Sequence, residues 1–336
     1  MRHHLLHTKD LTIGYTRKGK TVKVVHQNLN LKLVPGEFTC LLGPNGSGKS
    51  TLMRTFAGFH PALSGKIFLD NRQIQHFKEK DLSRLVSVVL TDKTNVGNMT
   101  VFELISMGRH PYTGFFGNLT PRDRKIIDQA IESVGMEALR DKLVNEISDG
   151  ERQKAMIAKA LAQQTPIIIL DEPTAYLDLP SRIEIMQLLH RLSSQMKKAV
   201  LLSTHDLEQA LRFADKIWLL GNQGEVQSGT PEDLILSDQF KQFFERKGIR
   251  FDNITGTFKI PNPQARKVKV SGKGVEYYWL LNALQRNGFA EGHESDLSIE
   301  IVRNGSPHYL LKKTGGAGIE IGSIEHLIHQ LKTLER

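Results

Sequence analysis

The chain has 336 residues, 39% of them hydrophobic, which suffices for one large domain and a smaller one, and its single cysteine, Cys40, excludes a disulfide framework and a cysteine-based metal site. Its net charge of +9 comes from 45 basic residues dispersed among 36 acidic ones, so no nucleic-acid partner is expected. No apolar stretch reaches the roughly 18 residues of a membrane span, and the first residues lack the apolar region of a signal peptide, which predicts a soluble cytoplasmic protein.

Short apolar runs in the first 250 residues predict two kinds of strand. The runs at 11–15, 22–25, 29–33 and 38–42 are separated by polar or Gly/Pro-containing turns, which predicts an antiparallel β region leading into a central strand. Buried strands of a parallel sheet are predicted, with helical patterns between them, at 85–90, 167–170, 200–203 and 217–220. Residues 1–248 are therefore predicted to form an α/β domain.

A helical subdomain is predicted to interrupt this α/β domain over residues 95–161, approximately. Strand signals are few there, and residues 101–107, 121–134 and 149–161 have helical spacing. Thr120 is a good N-cap, and the proline that follows it is favoured at the first helical position.

The final quarter of the chain predicts a small α+β domain at 267–336, after a linker at 249–266. The linker is indicated by a looser pattern with two prolines. The predicted elements of the small domain are a strand at 267–270, a helix at 275–286 closed by Asn287-Gly288, alternating apolar residues at 297–301, a hairpin turn at Asn304-Gly305, a strand at 309–311 and a helix capped by Ser323.

A glycine-rich phosphate-binding pattern separates the strand at 38–42 from a helical stretch predicted at 51–59. It consists of Gly43, Pro44, Asn45, Gly46, Ser47, Gly48, Lys49, Ser50 and Thr51. In such a loop backbone N–H groups turn toward phosphate, Lys49 can reach the β and γ oxygens, and Ser50 can ligate Mg²⁺. The position between strand and helix argues against a chance match and predicts a nucleoside triphosphate site.

Two adjacent carboxylates follow the apolar strand at 167–170, as in a Walker-B element. Asp171 is predicted to hold Mg²⁺, and Glu172 is predicted to accept a proton from the attacking water. The alternative is a strand that leaves the core at acidic residues, but a phosphate loop in the same chain favours the catalytic interpretation.

The segment from Ile147 to Gln153 resembles the Leu-Ser-Gly-Gly-Gln signature of ATP-binding-cassette (ABC) ATPases, although Asp149 replaces a glycine and Glu151 replaces the glutamine. In that family the signature contacts the γ-phosphate of nucleotide bound to the opposite subunit. The resemblance therefore implies ATP as the nucleotide, a head-to-tail dimer of two copies, and a binding role for Ser148 and Gly150. An ordinary capped helix is the alternative, but the position ahead of Asp171 matches the family.

Other family positions are present across residues 8–245. The resemblance implies that Tyr15 stacks on adenine, that Asp178 belongs to a loop touching the partner subunit, and that His205 contacts the γ-phosphate. An aromatic residue in a strand is more often part of a core, and a lone histidine is more often structural, so each assignment depends on the surrounding motifs.

One position departs from the family pattern. Thr91 stands where the family has a glutamine that helps to ligate Mg²⁺. A threonine hydroxyl has a shorter reach, so Thr91 is predicted as a metal contact that Asp92 can supplement.

The stretch 101–111 is similar to that of ATPases serving ferric-siderophore, haem and cobalamin importers. This resemblance implies a peripheral ATPase at the cytoplasmic face of the bacterial inner membrane, with a permease partner and, indirectly, a substrate-binding protein. An importer of another substrate and a soluble regulatory ABC ATPase acting on nucleic acid or the ribosome are the alternatives. The single phosphate loop and the lack of heptad repeats favour a transporter.

The small domain at 267–336 contains no motif for catalysis, metal binding or phosphate binding. We interpret it as a packing or dimer-stabilising domain in preference to a regulatory one.

Overall fold

The computed structural model describes residues 4–17, 20–90, 98–114, 117–221, 224, 226–244, 249–260, 262, 264–304 and 306–334. The chain divides into two compact units, one formed by residues 1–245 and 251–257 and the other by residues 246–250 and 258–336. No helix in the described part of the chain is long and apolar enough to cross a membrane.

The first unit contains two sheets and nine α-helices within the described ranges. Its strands are β1 (Leu6–Arg17), β2 (Lys20–Leu29), β3 (Lys32–Leu33), β4 (Phe38–Leu42), β5 (Ser64–Leu69), β6 (Arg72–Gln73), β7 (Val86–Val89), β8 (Ile167–Asp171), β9 (Ala199–Ser203), β10 (Lys216–Leu220) and β11 (Val226–Gly229). Its helices are α1 (Lys49–Phe56), α2 (Glu79–Leu82), α3 (Val101–Ser106), α4 (Pro121–Ser133), α5 (Asp149–Ala162), α6 (Leu179–Met196), α7 (Leu207–Phe213), α8 (Pro231–Leu236) and α9 (Gln239–Phe244).

The larger sheet has the strand order β11-β10-β4-β9-β8-β7, and all neighbouring pairs from β10 to β7 are parallel. Every residue of β4, β8 and β9 is buried, and alternate residues of β4 enter two different hydrophobic clusters, one on each face. The continuous apolar runs arise because both faces of a parallel sheet are covered. The carboxyl ends of β4, β8 and β9 consequently lie side by side.

A second, antiparallel sheet has the order β2-β1-β5-β6, with β3 also paired to β1. The predicted strand at 29–33 was wrong: β2 ends at Leu29 and β3 covers only two residues. At the break the Thr8 hydroxyl takes the place of a neighbouring strand, since it donates to the carbonyl of Leu29 and accepts the N–H of Leu31. The helix predicted at 51–59 also begins earlier and ends at Phe56, since Gly58 has φ of +78° and closes it.

The predicted helical subdomain is present, formed by α3, α4 and α5. Arg109 and Asp123 are buried within it, at 3% and 6% exposure, and Arg109 Nε donates to Asp123 Oδ1 at 2.9 Å. Arg109 Nη1 also donates to the carbonyl of Ala162 at the end of α5. A hydrogen bond from the Thr120 hydroxyl, together with Arg109, holds the pKa of the Asp123 carboxyl below its ordinary value.

Replacing Asp123 with asparagine is expected to lower the free energy of unfolding by about 3 kcal/mol at neutral pH, because Arg109 would stay buried without its anionic partner. A carboxyl whose pKa is lowered by folding stabilises above its ordinary pKa and loses that contribution as the pH falls through the lowered value. The difference between wild type and variant should therefore shrink below about pH 4. Urea unfolding across pH measures both effects. Asp128→Asn, which removes an exposed partner of Arg140 from α4, should cost under about 1 kcal/mol, and equal losses would contradict this account.

The segment predicted as a linker contains two short paired strands, β12 (Arg250–Asp252) and β13 (Thr257–Lys259). Phe251 is buried, and its ring stacks on that of Phe240 in the first unit with centroids 5.6 Å apart. Residues 251–257 of the predicted linker are therefore part of the first unit.

In its described residues, the second unit contains a five-stranded sheet and two helices. The chain forms β14 (Arg266–Ser271), α10 (Val275–Arg286), β15 (Phe289–Glu291), β16 (Leu297–Asn304), β17 (Ser306–Lys313), β18 (Ile319–Ile321) and α11 (Ile324–Thr333), and the strand order is β15-β14-β16-β17-β18. Leu280, Phe289 and Leu327 belong to its core. The predicted small α+β domain is present, although β15 and β18 were missed, and Gly305 of the predicted turn lies outside the described residues.

Candidate functional site

The phosphate loop connects the end of β4 to the start of α1, and its glycines are required by its backbone. Gly46 and Gly48 have φ of +79° and +94°, which side-chain-bearing residues rarely adopt. A Cβ on Gly48 would also lie 2.3 Å from Val25 Cγ1, whereas the equivalent position on Gly46 has no atom within 4 Å. The loop therefore packs closely against Val25 at Gly48, whereas the space around Gly46 is open.

The hydroxyl of Ser47 is free to hydrogen-bond with a ligand in the loop. Its hydroxyl is buried and has no hydrogen-bond partner in the described residues. The carbonyl of Ser47 accepts a hydrogen bond from His26 Nε2 at 2.6 Å, and His26 is buried on β2. The antiparallel sheet therefore supports the loop through a residue that sequence reasoning missed.

Lys49, the first residue of α1, directs its ammonium group back into the loop. Lys49 Nζ donates to the carbonyls of Gly43 at 2.9 Å and Pro44 at 3.2 Å, and it lies 4.0 Å from Glu172 Oε1. Burial lowers the pKa of Lys49, while the carboxylates of Glu172 and Asp171 oppose that shift. The structure thus places Lys49 beside both acidic residues predicted from the sequence.

Asp171 and Glu172 lie at the carboxyl end of β8, next to the end of β9. Asp171 is buried and accepts a hydrogen bond from the Ser203 hydroxyl at 2.6 Å. Glu172 is partly exposed, and its Oε2 lies 3.6 Å from His205 Nδ1. Glu172 has φ of +47°, an uncommon conformation for a residue with a side chain. Lys49, Asp171, Glu172 and His205 therefore form one group at the edge of the sheet.

The predicted adenine-stacking residue lies beside the same helix. The Tyr15 hydroxyl is 2.6 Å from Thr51 Oγ1, and the Tyr15 ring meets His60 edge to face at 6.0 Å. Tyr15 is 45% exposed, so it is not a core residue and its ring is accessible from solvent.

The signature residues form a capped helix start. The Ser148 hydroxyl accepts the N–H of Glu151, while the Glu151 carboxylate accepts hydrogen bonds from the backbone N–H and hydroxyl of Ser148. These bonds lower the pKa of Glu151. A Cβ on Gly150 would lie 2.9 Å from the hydroxyl of Ser181, which lies on α6. Glu151, which stands where the family has glutamine, therefore forms a reciprocal cap with Ser148.

Asp178 caps the neighbouring helix α6. Its carboxylate accepts the N–H of Ser181 at 3.1 Å, and hydrogen bonds from Ser181 lower its pKa. In the described residues, the hydrogen bonds of Ser148 and Asp178 stay within their own helix starts and do not reach the phosphate loop. Within the described part of one chain, Ser148 and Asp178 therefore make no hydrogen bond to the group formed by Lys49, Asp171, Glu172 and His205.

The residues that would hold Mg²⁺ supply only some of the ligands that the ion needs. Ser50 is exposed in the first turn of α1 and Asp171 supplies a carboxylate, both oxygen donors that Mg²⁺ prefers. In the described residues no group of three or more His, Cys, Asp or Glu has a geometry that could hold a metal ion, so the remaining coordination positions would belong to phosphate and water. Thr91 and Asp92 lie outside the described residues.

Two family models match this chain. The first, described as ABC transporter, matches residues 26–175, and the second, described as iron ABC transporter C-terminal domain, matches residues 265–332. An ABC transporter ATP-binding protein from Methanocaldococcus jannaschii, MJ0873, is 40% identical over 266 residues, covering 79% of this chain and 90% of that protein. This chain belongs to the ABC transporter ATP-binding proteins. It is an ATPase that binds ATP, as the sequence predicted.

Two further ABC transporter relatives carry names that state a substrate. The iron(3+)-hydroxamate import ATP-binding protein FhuC of Bacillus subtilis is 36% identical over 240 residues, covering 71% of this chain and 87% of FhuC. The ferric enterobactin transport ATP-binding protein FepC of Escherichia coli is 34% identical over 253 residues, covering 75% of this chain and 92% of FepC.

A solved structure of a bacterial ABC transporter cassette, MJ0796, is similar in fold, with a TM-score of 0.58 and 28% identity over 67% of this chain and 98% of that one. That structure is dimeric. The predicted ABC-type α/β fold is therefore confirmed.

Proposed function

We propose that this chain is the ATP-hydrolysing subunit of an importer that takes up an iron complex, such as a siderophore or haem, or cobalamin. The observation that carries the proposal is the joining of an ABC cassette to a region that matches the iron ABC transporter C-terminal domain. The relatives named for iron-hydroxamate and enterobactin transport support the same substrate class. The chain would act at the cytoplasmic face of the bacterial inner membrane, with a permease and a substrate-binding protein.

ATP would bind with its phosphates in the loop from Gly43 to Thr51. Backbone N–H groups and the start of α1 provide a positive site, and Lys49 adds a cation within the loop. Ser50 and Asp171 would hold Mg²⁺, with Thr91 or Asp92 replacing the family's glutamine. When bound, the ion would neutralise part of the negative charge of the phosphates.

Glu172 would be the general base for the attacking water. Its carboxylate is partly exposed and lies between Lys49 at 4.0 Å and His205 at 3.6 Å, which places it beside the phosphate loop. His205 is then positioned to contact the γ-phosphate. General-base catalysis depends first on such geometry.

Ser148, Gly150 and Asp178 would complete the site of a second copy in a head-to-tail dimer. The supporting observation is that Ser148 opens α5, a helix of 14 residues, where its hydroxyl and N–H would exchange the Glu151 carboxylate for the partner's γ-phosphate. The dimeric state of the MJ0796 cassette supports the same arrangement.

Co-purification with the product of a neighbouring permease gene tests the transporter assignment. The chain is expected to bind the permease in detergent, and its ATPase rate should change on binding. Association with ribosomes or nucleic acid in place of any permease would contradict the proposal and favour the regulatory alternative.

Removal of residues 267–336 is expected to leave ATP affinity within about twofold of wild type, because the second unit has its own core. Equilibrium binding of a fluorescent ATP analogue measures this. A uniform fall in ATPase rate that follows dimer affinity would support a packing role for the domain, whereas a change that depends on added iron chelate would support regulation.

A further inference from the structure

Ser203 contacts both acidic residues of the candidate site, although no motif assigns it a role. It is the last residue of β9, it is fully buried, and it stands opposite Asp171 in the parallel register of β8 and β9. Its hydroxyl donates to Asp171 Oδ1 at 2.6 Å and accepts the N–H of Glu172 at 2.9 Å. One oxygen atom therefore contacts both residues.

The chemistry of these two bonds requires a hydroxyl group. A serine hydroxyl has one hydrogen to donate and lone pairs that accept, so it can satisfy a carboxylate and an N–H group at the same time. Alanine and valine can do neither. Hydrogen bonds to an ionised carboxylate in a buried setting are also stronger than neutral ones.

The contact with Glu172 acts on its backbone. The N–H of Glu172 also lies 3.2 Å from the carbonyl oxygen of Ser203, so the hydroxyl and carbonyl oxygens of Ser203 both face it. Glu172 has φ of +47°, and a conformation of this kind persists only when surrounding contacts impose it. Ser203 supplies such contacts to the backbone N–H of Glu172, the residue whose carboxylate faces Lys49.

We propose that Ser203 is a positioning residue of the ATPase reaction. It fixes the Asp171 carboxylate toward Mg²⁺ and fixes the backbone of Glu172 so that its side chain meets the attacking water. This inference rests on the roles proposed above for Asp171 and Glu172. It also links the two acids to the loop of His205, which begins immediately after β9.

The full-length Ser203→Ala variant tests the proposal through metal coupling, defined as the factor by which Mn²⁺ strengthens binding of a non-hydrolysable fluorescent ATP analogue. Because loss of a hydrogen bond to a metal-holding side chain costs about 10- to 100-fold, the coupling factor should fall at least about tenfold. The affinity for the analogue in EDTA should remain within about twofold of wild type, and kcat at saturating Mg²⁺ should fall about tenfold.

Threonine and valine at position 203 have the same shape and differ in the hydroxyl, so this pair separates hydrogen bonding from packing and remains informative if the alanine variant folds poorly. Ser203→Thr should keep coupling within about threefold of wild type, and Ser203→Val should lose it. Ser87→Ala is the matched control, because Ser87 is a buried serine on β7 that hydrogen-bonds with Thr165 instead of Asp171. It should keep the wild-type coupling factor.

The outcomes distinguish this inference from the proposed function. If Asp171→Asn abolishes metal coupling while Ser203→Ala and Ser203→Val keep it, Ser203 is not a positioning residue and the proposed function stands. If Asp171→Asn also keeps coupling, the proposed metal role of Asp171 is wrong, and the role of Ser203 falls with it. Equal losses in Ser203→Val and Ser203→Thr would likewise overturn the inference.

Discussion

Replacing Glu172 with glutamine is expected to lower kcat for ATP hydrolysis by about 10²- to 10⁴-fold, the usual contribution of a general base. Glutamine has nearly the same shape, so Lys49 and the phosphate loop should still bind ATP with near wild-type affinity. Because hydrolysis is blocked after binding, the variant should accumulate as an ATP-stabilised dimer.

Single-turnover hydrolysis and size-exclusion chromatography with ATP measure these two results for Glu172→Gln. Glu184→Gln is the matched control, since Glu184 is an exposed carboxylate paired with Lys154 on the surface. It should retain the wild-type rate. Hydrolysis by Glu172→Gln at the wild-type rate would show that another group is the base.

Replacing Lys49 with alanine is expected to weaken ATP binding by about 10- to 100-fold, because a buried cation that faces the loop would be lost. Lys198→Ala is the control: Lys198 also donates to a backbone carbonyl, that of Thr165, but lies outside the site. It should bind ATP as wild type does. An unchanged affinity for Lys49→Ala would contradict the phosphate-binding role of Lys49.

Mixing Lys49→Ala subunits with Ser148→Arg subunits extends this prediction to the dimer. Each variant alone should be inactive, since both of its composite sites carry a defect. A heterodimer has one intact site, formed by Lys49 of one chain and Ser148 of the other, so the mixture should recover at most about a quarter of the wild-type rate. If heterodimers form, as tested with two different tags, and no activity returns, the sites are not shared.

The sequence was sufficient to predict the central sheet and the phosphate loop because their physical requirements are local. Strands covered on both faces need continuous apolar runs, as at residues 167–170, and the loop needs glycine where φ is positive, as at Gly48. The helix at 275–286 was predicted with its observed bounds, since Gly288 follows it with φ of +87°.

One error was local, since Gly58 ends the helix that was predicted to reach residue 59, but others came from contacts between distant parts of the chain. The Thr8 hydroxyl contacts the backbone on both sides of the break in the strand predicted at 29–33, and Thr8 lies more than 20 residues away in sequence. His26 supports the phosphate loop across 21 residues of sequence, and Ser203 contacts residues 31 and 32 positions earlier. A buried serine at a strand end looks ordinary until the neighbouring strand is known. The roles of the predicted site residues remain predictions that the variants above address.

ATP-driven uptake of an iron complex into proteoliposomes, with the permease and this chain reconstituted together, is the most direct measurement of the proposed function. The chelates tested would include a hydroxamate and a catecholate siderophore, haem and cobalamin. We expect uptake of at least one of them with the wild-type chain and none above background with Glu172→Gln. Equal uptake with both chains, or ATP-driven uptake only of substrates outside this group, would contradict the account.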